Sequence, residues 1–152
     1  MKTTMEESIR QDSMNKIQSC FKNLKESFSN YEYTEKELDY TIEILPETIR
    51  ATAKKEITIS RDEQTQNFNM FISEEYSPAY NFILITNEIL RDELDCACGE
   101  ISCTSDLTLL SQTNLKFRLG LDVTPRMERV YSIQDRTTNQ EFKFAVRNCV
   151  IR

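Results

Sequence analysis

With no histidine, two glycines and a formal net charge of −6 over 152 residues, the chain lacks the usual neutral-pH base and the commonest metal ligand. Gly99 and Gly120 stand too far apart to build a phosphate-cradling loop or a dinucleotide fingerprint. Its 39% apolar and 29% charged residues, without an apolar run of about 18 residues, predict one soluble globular domain and no membrane span.

The opening stretch Met1–Glu7 carries acid and has no apolar core, so no secretory signal is expected. Five cysteines in such a chain predict a reducing, intracellular setting, cytoplasmic or nuclear, with free thiols. Residues 1–114 hold 11 basic and 21 acidic side chains, whereas residues 115–152 hold 8 basic and 4 acidic. The acidic total disfavours nucleic-acid binding by the chain as a whole, and the basic tail leaves room for a local cationic surface.

From Met5 to Ser29 the spacing predicts an amphipathic helix. Met14, Ile17, Phe21, Leu24 and Phe28 fall three or four residues apart and form one stripe. The repeat lasts two heptads, too short to argue for a coiled coil. The stripe therefore either covers this chain's own sheet or anchors a partner, with Phe21, Leu24 and Phe28 as the large groups. Acid and base are balanced on its polar face, which argues against a membrane-surface helix.

Beyond Asn30 the period becomes two. Leu38–Ile44 alternates and is closed by Pro46, and Glu56–Ser60 and Asn67–Ile72 flank a polar hairpin loop at residues 61–66. Tyr80–Thr86 is almost continuously apolar and is expected to be the most central strand. Leu115–Val123 points Phe117, Leu119, Leu121 and Val123 one way, and Lys116, Arg118 and Asp122 the other. Met127–Asp135 and Glu141–Ile151 complete a second hairpin, with Phe142, Phe144, Val146 and Val150 as its inward row.

The expected fold is mainly β, bordering on α+β: an N-terminal amphipathic helix on an antiparallel sandwich or partly closed barrel of about seven to nine strands. The helix occupies residues 1–31 and the β region residues 32–152, together one compact domain.

Three segments are candidates for chemistry. Cys96, Cys98 and Cys103 lie within eight residues beside several carboxylates, and thiolates suit Zn²⁺. The C-x-C spacing puts two thiols on one face of a strand and no histidine completes the set, so small buried core residues are the favoured reading and structural zinc the alternative. Lys116, Arg118, Lys143 and Arg147 share one outward face, with Arg129 and Arg152 nearby, and suit an acidic partner. The neighbouring aromatics point inward, which disfavours base stacking and hence nucleic acid. Glu74–Glu75 and the carboxylates of residues 92–95 are candidates for an acid–base pair, and cysteine with lysine, or tyrosine as acid, would also work without histidine, but nothing in the sequence brings such groups together.

The chain is therefore expected to be a non-catalytic protein-interaction module or assembly subunit without a cofactor. It would bind another protein, a second copy or a different chain, through the helix stripe, a strand edge or the basic sheet face. A small-ligand β-barrel, a nucleic-acid accessory subunit and a structural zinc protein are the alternatives.

Overall fold

The structure, a computed structural model, describes residues 1–95, 116–124 and 128–147. Two helices and seven strands appear there in the order α1 (Lys2–Ser27), β1 (Glu32–Glu35), β2 (Asp39–Leu45), β3 (Thr48–Arg61), β4 (Gln64–Tyr76), α2 (Ala79–Asp95), β5 (Phe117–Val123), β6 (Glu128–Asp135) and β7 (Glu141–Arg147). The strands form two antiparallel sheets, and neither closes into a barrel. The mainly β architecture with an N-terminal helix on a sheet holds; the barrel form of the expectation does not. The chain divides into compact units Met1–Tyr80 and Asn81–Arg152. Among the described residues no helix is long and apolar enough to cross a membrane.

In the first unit α1 runs for 26 residues, about 39 Å at 1.5 Å per residue. No Gly or Pro interrupts it, and Arg10 and Gln11 both donate at 2.8 Å to Glu7 across one turn. Those bonds hold the Glu7 carboxyl at a pKa of about 2. Its sheet is built around β3, which pairs with β4 along one side and with β2 and then β1 along the other. Two-residue turns connect β2 to β3 and β3 to β4. Pro46, with φ set by its ring, precedes Glu47 at φ 62°, and Asp62 at φ 55° turns β3 into β4.

Period two then decides what is buried. Tyr40, Ile42 and Ile44 of β2 and Ala53, Ile57 and Ile59 of β3 are buried, while Asp39, Thr41 and Glu43 face solvent. Each fully buried Ile contributes about 1.5–3 kcal/mol of transfer free energy. The register of β3 against β4 shifts between Lys54 and Ile57, a bulge in the middle of the central strand.

Residues 80–86 are not a strand. They are the first turns of α2, and the expectation of a central strand is corrected. A run in which nearly every position is apolar carries no period; a window extended to residue 93 does. Phe82, Thr86, Ile89 and Glu93 recur at helical spacing, and Ser77 Oγ accepts from the Ala79 N–H at 3.3 Å beside Pro78 at the helix start. Phe82 and Ile89 join Phe117, Tyr131 and Ile133 in one core, with Ile85, Leu119, Phe142, Phe144 and Val146 packed around it. Strand order is β5-β6-β7. Asp135 closes the β6–β7 turn by accepting from the Thr137 and Thr138 N–H groups at 2.7 and 3.3 Å, and Asn139 takes φ 58°.

Candidate interaction surfaces

The helix stripe lies against the chain's own sheet. Met14, Ile17 and Phe21, with Ile9, pack on the Tyr40–Ile42–Ala53 cluster, and the Phe21 ring meets Phe71 edge-on at 5.3 Å. Ser13 Oγ lies 3.2 Å from the Tyr40 hydroxyl on the same face. Leu24 and Phe28 are half-buried further along, and the Phe28 ring stands edge-on to Tyr31 at 5.5 Å. All five residues are thus on one face, as the spacing requires, and none is fully exposed.

The groove beside the end of α1 is occupied by ion pairs. Glu35 accepts Lys55 at 3.1 Å and Lys25 at 3.5 Å, and Lys55 Nζ sits 5.5 Å from the Phe21 ring centroid. Burial alone would raise the Glu35 carboxyl, but the two lysines outweigh it and hold the pKa below the usual range. Those two cations are already committed to Glu35.

The basic face of the second unit carries both signs. Arg118 and Lys143 do lie on the outward face of the β5-β6-β7 sheet, and Arg147 takes a register position on the same face. Glu141 stands 3.1 Å from Lys143, Glu128 is the register partner of Arg147, and Asp122 shares the β5 face of Arg118. Lys116 precedes β5; its carbonyl accepts from the Arg136 N–H at 2.9 Å and its Nζ lies 6.0 Å from the Phe117 ring centroid.

Arg129 is not on this face. It turns inward, 9% exposed, and donates to both oxygens of Glu93 at 2.8 and 3.0 Å. The fully buried Tyr131 hydroxyl donates to the same carboxylate in a short hydrogen bond. Burial, reinforced by Glu93, pushes the Tyr131 phenol up to about 12, and the bond to Glu93 raises Arg129. One acid saturated by one base and one phenol is a staple between α2 and β6. It leaves no acid and base free for proton transfer. Of the other acid–base candidates, Glu74 accepts from Arg50 Nε at 2.6 Å.

Cys96, Cys98, Cys103, Arg152 and Val150 lie outside the described residues. Among the described residues no cluster of His, Cys, Asp and Glu could hold a metal, and Cys20 is exposed and free.

The feature that residue spacing did not disclose is the edge of the first sheet. β4 has β3 on one side and no strand on the other among the described residues. Twelve of its 13 residues are exposed, including Phe68 at 42%, Met70 at 54% and Ile72 at 55%. From Gln64 to Ser73 it contains no charge and no proline. The opposite edge is treated differently. β2 is 7 residues long and β1 only 4, both carry acids, Pro46 follows, and Glu6 of α1 accepts the Ile44 N–H at 2.9 Å. Short strands, charges and a covering helix are the usual protections of an edge, whereas β4 is long and carries its only charges, Glu74 and Glu75, at one end.

No family model, curated protein or solved structure matches the chain.

Proposed function

We propose that the chain is a non-catalytic protein-interaction module, a subunit of a larger assembly, and that β4 is its contact surface. The observation that carries this reading is the contrast between the two edges of one sheet. One is shortened, charged and covered; the other presents 13 residues with exposed Phe68, Met70 and Ile72. A long edge without charge from Gln64 to Ser73 offers a row of backbone donors and acceptors to an incoming strand, and alternate apolar side chains give that strand something to pack on. The helix stripe supports the sheet from within, since Met14, Ile17 and Phe21 are engaged by its core. The absence of histidine and the pairing of Glu74 and Glu93 with arginines favour binding over catalysis.

The test is a photo-crosslinking amino acid placed at Ile72, with Arg118 as the comparison site, in cells expressing the full chain. A protein adduct from position 72 supports the reading. Adducts from position 118 alone move the contact to the β5-β6-β7 face and overturn it.

A further inference from the structure

Resting on the reading of β4 as the contact surface, we infer that the strand it receives is β4 of a second copy, antiparallel, about a two-fold axis at Met70. The argument is one of register. Met70 is the midpoint of Gln64–Tyr76, so a two-fold there uses the whole length of both strands. It sets Phe68 opposite Ile72 of the other copy and Met70 opposite Met70, which gathers the exposed apolar side chains at the centre of the joint. Cross-strand apolar pairs of this kind each add about 0.2–1 kcal/mol.

Charge selects the same register. With the axis at Met70, Glu74 faces Gln66 and Glu75 faces Thr65, so every acid of the strand meets an uncharged hydrogen-bonding residue. Moving the axis to Phe71 sets Glu74 against Phe68. Moving it to Asn69 sets Glu75 against Glu63 in the β3–β4 turn, and like charges directly opposite one another are destabilising. A single strand sequence that is apolar at its middle, polar at both ends and free of acid–acid pairs in its full-length register is self-complementary. Self-complementarity is what an isologous interface demands. The axis stands perpendicular to the joined sheet, so both α1 helices lie on one face. The joined sheet then runs β3-β4-β4-β3 through its centre, with the protected β1 and β2 edges outermost.

The experiment is analytical ultracentrifugation of the full chain under reducing conditions at high micromolar concentration. The unmodified chain, Met70→Lys alone, Met70→Glu alone and an equimolar mixture of the two variants are compared, with circular dichroism confirming that each is folded. Because position 70 meets itself, either single variant sets like charges in direct opposition, and the mixture sets opposite ones. The expected result is a mass twice 17.9 kDa for the unmodified chain. Each variant alone should associate at least about tenfold more weakly, and the mixture should regain the doubled mass. A monomeric unmodified chain overturns the inference, and so does a doubled mass that persists in both single variants. The crosslink at Ile72 separates the two readings. A copy-to-copy adduct supports this inference; an adduct with a different protein overturns it while leaving β4 as the contact surface; no adduct overturns both.

Discussion

Removing the Glu93 carboxylate is the most informative single perturbation of the second unit. Glu93 and Arg129 have side chains 11% exposed each, and the carboxylate also accepts the buried Tyr131 hydroxyl. Glu93→Leu therefore removes the shared acceptor of a guanidinium and a phenol and leaves the guanidinium's charge uncompensated. An uncompensated buried charge costs about 3–5 kcal/mol, a large share of the 5–15 kcal/mol typical of a whole domain. Arg129→Met alone costs about as much, because it strands the carboxylate. The double variant removes both charges and loses only the phenol's acceptor, about 1–3 kcal/mol; adding Tyr131→Phe recovers most of that. Urea unfolding followed by circular dichroism, run as a double-mutant cycle, measures the coupling. An expected coupling of at least about 3 kcal/mol follows from these figures. Additive losses, with a coupling below about 1 kcal/mol, would refute the argument that the three groups act as one unit.

The same triad predicts an alkaline transition. The Tyr131 phenol has a raised folded-state pKa of about 12 against an ordinary 10, so the native state is favoured while the phenol keeps its proton. That contribution, about 3 kcal/mol, is complete below pH 10 and is lost as pH rises through 12; a tyrosinate absorbance titration should show a late group that disappears in Tyr131→Phe. In the first unit, Phe21→Ala removes a half-buried ring from the Tyr40–Ile42–Ala53 cluster and from its edge contact with Phe71. It should cost about 2 kcal/mol in chemical denaturation, below the 3–5 of a fully buried phenylalanine; an unchanged midpoint would show that the stripe does not support the sheet. Thr86 is 2% exposed, and its Oγ1 has no hydrogen-bond partner among the described residues. Thr86→Val keeps its shape and should stabilise by about 1 kcal/mol in the same assay; a loss would mean that the hydroxyl has a partner.

What could be read from residues alone follows from how burial is distributed. Leu38–Ile44 was legible because one face of β2 is buried and the other wet, the condition that writes alternation into a sequence. The α1 stripe was legible for the same reason at period 3.6. The first half of β3 was not, because its inward residues Ala51 and Ala53 are too small to stand out against Thr48, Arg50 and Thr52. Glu32–Glu35 carries one half-buried residue, so only its pairing with Ile57–Ser60 makes it a strand. The Glu93–Arg129 staple joins positions 36 apart, and no local pattern announces it. β4 could be recognised as a strand, but its place at an edge is a property of the sheet order, which periodicity does not contain. Its charge-free stretch from Gln64 to Ser73 was the available hint.

The two tight turns of the first sheet also bear on how it forms. Leu45 pairs with Thr48 and Arg61 with Gln64, so β2, β3 and β4 can zip outward from corners where chain neighbours meet. Each step closes only a short loop, and the entropy of ordering is spent in small increments. α1 must instead dock across a longer separation, bringing Ile17 and Phe21 to Tyr40 and Ala53. Changes at Glu47 or Asp62 then belong to the early events and alter the folding rate, whereas changes along the stripe act late and alter mainly the rate of unfolding.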